Sequence, residues 1–575
     1  MQDRPSPPWW LELVTFGALG ALLYYPIHLP YQNPDQDYPA GIALLELVRG
    51  GWEPWSLMYP SALTNLMHAG YDVLLVGARL AGRPLDAIGL CATFMHDPTP
   101  FRIAPRLVAM TGGAVSLIAV ARVTSLVTDR WSGLIAAALL GTSYMFVREH
   151  HHGMFDAPAA TAVIVSLWFS GCYVVRPTVG ALVGATVGAA LALSSKWNAA
   201  VAGCAPILAF LLAPPPPSGR TRACAIAMAA GVFAVLIACP VVLLDPGRVA
   251  RHLRDVFEFF EKLGNVVRRQ GGPLYTFGDV MRNGLGICLS LATVVGTLAL
   301  IGRRARPLYP LAAFTWLYAY IVWRSPLPIN RYTLPLAAPV AVLAAYGLHQ
   351  IRPLPLRLSA AAVLVALGLP ACIAYDRLLA REDTRVTAAR WLRANVRPDA
   401  VVFLPGSILL PGYLGPDLPR PTFDPHVLPP ERAAALTARM DPPFPRRRFF
   451  VPPAHYDERP AGRERLAPWS NSVVVTSELY DGPFAKESTA PELVSELERH
   501  GVLLADYPVI AAEGTRTYEP EMNFVPMRGI ATLARPGPRL RIWYVPRIAP
   551  GAEPSPFLDG HEPGGSESTR GVRFE

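Results

Sequence analysis

The chain has 575 residues, of which 52% are hydrophobic and 17% are charged, and its formal net charge is +9. This low charged fraction excludes an ordinary soluble protein of this length, because a soluble surface needs more charged side chains. The positive charge suits an anionic membrane surface or substrate. Nucleic acid is not expected as a partner, because no basic stripe carries interleaved aromatic residues.

Long stretches without charged residues are concentrated in the first 375 positions. A membrane-spanning helix needs about 20 apolar residues. We predict eleven spans, at 13–34, 107–121, 131–147, 157–175, 177–195, 197–219, 223–244, 283–302, 307–323, 332–351 and 358–375. A further stretch, 54–71, contains two prolines, Asn65 and His68, and is predicted to form an interfacial helix on the outer face.

The composition changes near Tyr375 and Asp376, where a chain rich in proline and arginine begins. We predict a transmembrane catalytic domain at 1–375, a small soluble α/β domain at 376–550 and a disordered tail at 551–575. Predicted helices of the α/β domain lie at 383–396 and 492–500, and predicted strands lie at 400–404, 472–476 and 540–545. The fold class is therefore an α-helical polytopic membrane protein followed by an α/β domain.

The orientation follows from the lysines and arginines of the short loops, which favour the cytoplasmic side. With eleven spans, one side carries the loops at 129–130, 214–222, 302–306 and 350–357, most of them basic. This side is predicted to be cytoplasmic, together with the N-terminus. The segments 35–105, 148–156, 245–282 and 324–331 and the C-terminal domain are then extracytoplasmic. Segment 245–282 holds seven lysines and arginines, so either the topology differs there or the segment meets something anionic.

Charged residues at a membrane boundary are costly and are therefore candidates for function. Asp35 and Asp37 follow the first predicted span, although turn formation also explains Asn-Pro and Pro-Asp pairs there. Asp156 opens the fourth predicted span, where the helix dipole alone would stabilise it. All three carboxylates are predicted to lie on the outer side.

Two cations are predicted on the same outer side, Lys196 at the end of the fifth span and Arg331 before a late one. A lone cation at the end of a span usually anchors the helix by reaching into the interface. Such a boundary lysine contributes little packing, so its removal would not unfold the protein. Two cations near carboxylates could instead hold a phosphate.

The three consecutive histidines, His150 to His152, raise the question of a metal site. Adjacent residues of one element point in different directions, so one ion is not expected to take all three. No CxxC pair occurs, so a cysteine metal site is not expected either. No cofactor is predicted. A divalent metal stays possible, but the ligand spacing does not support it.

The order of these segments resembles the GT-C class of polyprenyl-phosphate-sugar-dependent glycosyltransferases, near the protein mannosyltransferases and the lipid A aminoarabinose transferases. The matching positions are Pro34-Asp35-Gln36, Tyr59-Pro60-Ser61, Arg106, the set Arg148, His151 and Asp156, Ser195-Lys196-Trp197-Asn198, 240–245, and Arg331-Tyr332-Thr333-Leu334-Pro335. The chain departs from the pattern at Gln36, where the class usually has glutamate, and Asp37 follows it.

The resemblance implies transfer of a hexosyl or pentosyl group from a polyprenyl phosphate to an acceptor glycan, lipid or protein at the outer membrane face. It implies that Asp35 is the base and that Asp156 orients the acceptor or shares that role. The cations that would neutralise the leaving phosphate are Lys196, Arg331 and, more weakly, Arg106. The residues that would shape the acceptor side are Asp37, Tyr38, His151 and Tyr332.

Two alternatives stay open. A transporter or flippase of lipid-linked sugars would more often show internal repeats, and no repeat is apparent. A catalytically inactive relative that binds lipid-linked sugar is compatible with Gln36.

Overall fold

The computed structural model describes residues 6–25, 37–52, 57, 59–96, 99–217, 219–268, 278, 280–324, 330–396, 402–403, 428–439, 449–450, 466, 469–478, 491–509, 530, 533–537 and 539–546. Asp35, Gln36 and the predicted tail at 551–575 lie outside these residues. Asp37 and Tyr38 begin a helix, but their side chains lie outside the described part.

Helices make up most of the described part of the first 395 residues. The helices are α1 (Trp9–Tyr24), α2 (Asp37–Arg49), α3 (Ala62–Leu80), α4 (Ala87–His96), α5 (Ile103–Ser125), α6 (Arg130–Gly141), α7 (Tyr144–His151), α8 (Asp156–Val175), α9 (Val179–Ser195), α10 (Cys204–Leu212), α11 (Arg220–Ala238), α12 (Val241–Leu244), α13 (Pro246–Arg268), α14 (Ile287–Arg303), α15 (Tyr309–Arg324), α16 (Leu334–His349), α17 (Leu354–Leu379) and α18 (Thr384–Asn395).

Five helical stretches are long and apolar enough to cross a membrane: Pro100–Ser125, Asp156–Val175, Arg220–Ala238, Asn330–His349 and Leu354–Leu392. Four shorter apolar helices accompany them: Trp9–Tyr24, Val179–Ser195, Trp197–Leu212 and Ile287–Arg303. The prediction of a mostly helical chain with several apolar candidate spans is thus confirmed, whereas the number of eleven spans stays a prediction. Helix α3 begins inside the predicted interfacial stretch and continues beyond it to Leu80.

Helix α16 is the centre of the bundle, and nearly all of its side chains are buried. It packs against α5, α6, α8 and α14. Its contact with α14 is a close approach of two backbones, because a Cβ atom at Gly296 would lie 1.8 Å from the Leu343 carbonyl oxygen. Small residues allow such approach between membrane helices, where dispersion rather than water drives association.

The two ends of the bundle differ chemically. At one end the Asp129 carboxylate caps α6 by accepting a hydrogen bond from the Ser132 N–H, and it also accepts one from Arg357 Nη1 at 2.9 Å. Burial tends to raise the pKa of Asp129, but the hydrogen bonds from Ser132 and the charge of Arg357 outweigh it, so this pKa lies below its usual range. At the other end lie the first turns of α5, α8 and α16 and the last turns of α9 and α17.

The C-terminal part contains a five-stranded sheet in the order β2-β1-β3-β5-β4. Its elements are β1 (Val402–Phe403), α19 (Pro430–Arg439), β2 (Phe449–Phe450), β3 (Ser472–Glu478), α20 (Pro491–His500), β4 (Val502–Tyr507) and β5 (Arg539–Val545). Strand β1 is parallel to its neighbours, and β5 is antiparallel to β3 and β4. The helices predicted at 383–396 and 492–500 and the strands predicted at 472–476 and 540–545 are present, and the described residues of the strand predicted at 400–404, Val402 and Phe403, form β1.

Successive side chains of β3 point to opposite faces of the sheet, and each face is covered by a helix. Val473 and Val475 face helix α18, whereas Val474 faces α20. Helix α17 continues through the composition change at Asp376 and ends at Leu379. Helix α19 packs on α4, where Arg439 pairs with Asp86.

Candidate functional site

The candidate site is built around the segment that joins α7 to α8. All side chains of α7 are buried, including the ion pair between Arg148 Nη1 and Glu149 Oε1 at 3.1 Å. The chain then turns through Gly153, where a Cβ atom would lie 3.0 Å from the backbone nitrogen of Arg106. Because only glycine fits there, the joining segment lies directly against the first turn of α5 and brings Arg106 to the site.

Lys196 and Asp156 form a buried ion pair at this end of the bundle. Asp156 begins α8, and Lys196 follows the last residue of α9 with an extended backbone. The Lys196 ammonium contacts the Asp156 carboxylate and lies 4.0 Å from the centre of the Tyr332 ring, a cation–π distance. The expectation of a boundary lysine with little packing is therefore wrong, because Lys196 is buried and paired.

Arg331 lies beside this pair. Its guanidinium is buried and donates a hydrogen bond from Nη2 to the Tyr59 hydroxyl at 3.3 Å. The Tyr59 ring is stacked on Phe155 with 4.5 Å between ring centres. The Lys196 ammonium contacts the ring of Tyr332, the residue after Arg331, and the charges of Arg331 and Lys196 repel each other.

Arg106 is the third predicted cation and is also buried. Its charge acts on His151 and His152, and the charge of Arg331 acts on His152 as well. The structure therefore brings together Arg106, Asp156, Lys196, Arg331, Tyr332 and His151, all of which the sequence singled out. The approach of Asp35 to Asp156 stays a prediction, since Asp35 lies outside the described residues.

The three histidines have three different surroundings. The ring nitrogen Nδ1 of His150 bonds the Phe146 carbonyl oxygen at 2.8 Å, Nδ1 of His151 lies 3.5 Å from Asp376 Oδ1, and Nε2 of His152 lies 3.3 Å from the Tyr375 hydroxyl. Within the part of the chain that the structure describes, no group of three or more metal-binding side chains occurs.

Sequence reasoning missed several residues of this end of the bundle. The composition predicts only a domain boundary at Tyr375 and Asp376, yet both residues contact the histidine segment. Tyr318 was missed as well, and its hydroxyl donates to the Tyr332 carbonyl oxygen at 2.8 Å. A signal existed for Asp376, because it is a carboxylate at the end of the last apolar stretch.

Fold and site together define a helical bundle with several candidate membrane spans and a buried, cation-lined polar site at one end. Residues 100–244 match the family described as dolichyl-phosphate-mannose-protein mannosyltransferase. Arg106, Asp156 and Lys196 all fall within the matched stretch. The predicted resemblance to the GT-C glycosyltransferases is confirmed by this match.

Solved structures give weaker similarities. ArnT from Cupriavidus metallidurans bound to undecaprenyl phosphate is 15% identical, with 95% of this chain and 99% of that chain covered and a TM-score of 0.47. Arabinofuranosyltransferase AftD from mycobacteria is 14% identical, with 95% and 40% covered and a TM-score of 0.42. Oligosaccharyltransferase AglB from Archaeoglobus fulgidus is 14% identical, with 67% and 58% covered and a TM-score of 0.39. No curated protein matches the chain by sequence.

Proposed function

We propose that this chain is a glycosyltransferase that moves a hexosyl or pentosyl group from a polyprenyl phosphate to a glycan, lipid or protein acceptor on the outer face of the membrane. The observation that carries the proposal is the buried pair of Lys196 and Asp156 with Arg331 beside it. The position of this pair inside the stretch matched by the mannosyltransferase family supports the same conclusion.

The donor's leaving group is a phosphate that stays tethered to a lipid. Its charge grows as the bond to the sugar breaks, so cations already in place lower the barrier. The Lys196 ammonium acts as a compact charge, and the Arg331 guanidinium offers a planar fork that suits phosphate oxygens. Both are buried, where low dielectric strengthens their action.

The contact between Lys196 and Asp156 suggests different roles for the two predicted catalytic carboxylates, Asp35 and Asp156. Asp156 contacts Lys196, so its role in the proposal is to hold that cation. The base that takes the acceptor's proton is then Asp35, as the resemblance implies.

The sidedness of the proposal rests on the basic loops at the opposite end of the bundle, which contain Arg220, Arg303 and Arg357. The cation-lined end would then be extracytoplasmic. In this arrangement residues 1–375 form the catalytic membrane domain, residues 376–550 form an extracytoplasmic α/β domain and 551–575 form a tail.

Binding of the carrier tests the phosphate site directly. Purified protein in lipid nanodiscs is titrated with undecaprenyl phosphate as wild type, Lys196→Met, Arg331→Gln and Arg303→Gln. Each site variant should raise Kd at least about tenfold, since a hydrogen bond to a charged group contributes roughly 1.5–3 kcal/mol. Arg303 is exposed at the opposite end, so its variant should bind like wild type. Equal affinity in all four proteins would contradict the proposed site.

A further inference from the structure

Asp376 is a buried carboxylate that the proposed reaction does not yet use. It lies near the end of α17, a candidate membrane span, and is 8% exposed. The next residue, Arg377, is exposed. A carboxylate buried at a membrane boundary is costly unless it faces a partner, water or a ligand, so its contacts indicate its role.

The partners of Asp376 and Tyr375 are two consecutive histidines of the site. Asp376 Oδ1 lies 3.5 Å from His151 Nδ1. The Tyr375 ring lies parallel to the His151 ring, with 5.5 Å between centres and 11° between planes. The Tyr375 hydroxyl also lies 3.3 Å from His152 Nε2 and donates to the Arg148 carbonyl oxygen at 3.5 Å. Helix α17 therefore fixes the end of α7 through side chains rather than through backbone contact alone.

His151 connects this pair of residues to the rest of the site. It lies near the last turn of α1, which contains Leu22 and Leu23, and it interacts with the charge of Arg106. Its neighbours thus come from α1, α5 and α17, and the neighbour on α17 is the Asp376 carboxylate. A charged acceptor beside an imidazole fixes the orientation of its ring.

We propose that Asp376 is a positioning residue for sugar transfer and that it acts through His151. Its carboxylate holds the imidazole beside Arg106, at the cation-lined end of the bundle. This role rests on the proposed glycosyltransferase function. Without the carboxylate, the His151 ring loses its charged partner and turns away from the orientation that the site needs. Carrier binding at Lys196 and Arg331 is left in place.

A double-mutant cycle on turnover tests this role. Wild type, Asp376→Asn, His151→Gln and the double variant are compared for kcat and for donor KM, with Arg377→Gln as the control from the adjacent exposed position. We expect kcat to fall about tenfold to a hundredfold in each single variant, as for other residues that orient a histidine, with KM unchanged. The double variant should be no slower than His151→Gln, and Arg377→Gln should match wild type.

Independent effects of the Asp376 and His151 substitutions on kcat would contradict the proposed positioning role of Asp376. A double variant whose loss is the product of the two single losses, or full kcat in Asp376→Asn, would overturn it. If Asp376→Asn does not fold, the cycle is run with Asp376→Glu, which keeps the charge but displaces the carboxylate, and the same non-additivity is expected. A wild type that transfers no sugar would instead contradict the proposed function, and this role with it.

Discussion

Replacing Asp156 by asparagine should destabilise the protein and make its stability depend on bound undecaprenyl phosphate. In Asp156→Asn the ammonium of Lys196 loses its buried counter-charge and stays beside Arg331, which repels it. The Lys196 and Asp156 side chains are 7% and 1% exposed, so water offers little compensation. Removing one partner of a buried pair costs about 3–5 kcal/mol, a large fraction of the stability of a folded domain.

Undecaprenyl phosphate can supply the missing negative charge. At a concentration of about 100 times Kd, a ligand that binds only the folded state stabilises it by about 2.7 kcal/mol. Because Asp156 no longer competes for Lys196, the carrier should bind Asp156→Asn more tightly than wild type. Its addition should therefore raise the unfolding temperature of Asp156→Asn more than that of wild type. In Lys196→Met the carrier should raise it less.

The assay is thermal unfolding in nanodiscs, followed by tryptophan fluorescence with and without undecaprenyl phosphate. The order of ligand-induced shifts should be Asp156→Asn, then wild type, then Lys196→Met. Equal shifts in the three proteins would refute the argument that Lys196 is shared between Asp156 and the carrier phosphate. Loss of stability is expected in both variants without ligand, because either one leaves a single buried charge.

Three further predictions concern other contacts of the structure. Tyr59→Phe removes the hydroxyl that accepts a hydrogen bond from Arg331. Titration with the carrier should show a Kd that is several-fold higher than that of wild type. An unchanged Kd would refute the role of that contact. Gly153→Ala should lower the unfolding temperature, because the added Cβ atom would clash with the backbone of the first turn of α5. Gly180→Ala should not lower it, because no atom lies within 4 Å of a Cβ atom there. Equal effects of the two variants would refute the close approach at Gly153. The pKa of Asp129 is lower in the folded state than in the unfolded chain, so its contribution to stability is present above the ordinary carboxyl pKa and is lost as pH falls through the folded-state value. Unfolding temperatures at decreasing pH should therefore fall less steeply in Asp129→Asn than in wild type, and parallel curves would contradict this.

The positions of helices could be predicted from the sequence where a charge ends an apolar stretch. The predicted span at 157–175 agrees with α8, which begins one residue earlier at Asp156. Prolines and lone charges at such ends are local signals, so they can be read without knowledge of the fold. The residues of the cation-lined end could be predicted for the same reason, because these charged residues lie at the ends of predicted spans.

Whether each charged side chain is buried and which residue it contacts could not be predicted in the same way. Lys196 resembles an interfacial anchor in its local sequence, and its partner Asp156 is 40 positions earlier. The contact arises because α8 and α9 pack against each other and because α9 ends at Ser195. Asp376 poses the same problem, since its partner His151 is on α7 and composition near Asp376 indicates only where the apolar stretch ends.

The central claim is that the cation-lined end of this bundle transfers sugar from a polyprenyl phosphate. The most direct measurement is release of polyprenyl phosphate from a panel of labelled polyprenyl-phosphate sugars by purified protein, with membrane extract as the acceptor source. Wild type should release the carrier from at least one donor, and Asp35→Asn should bind the carrier equally well but release none. Full release by Asp35→Asn, or no release by wild type from any donor of the panel, would contradict the account.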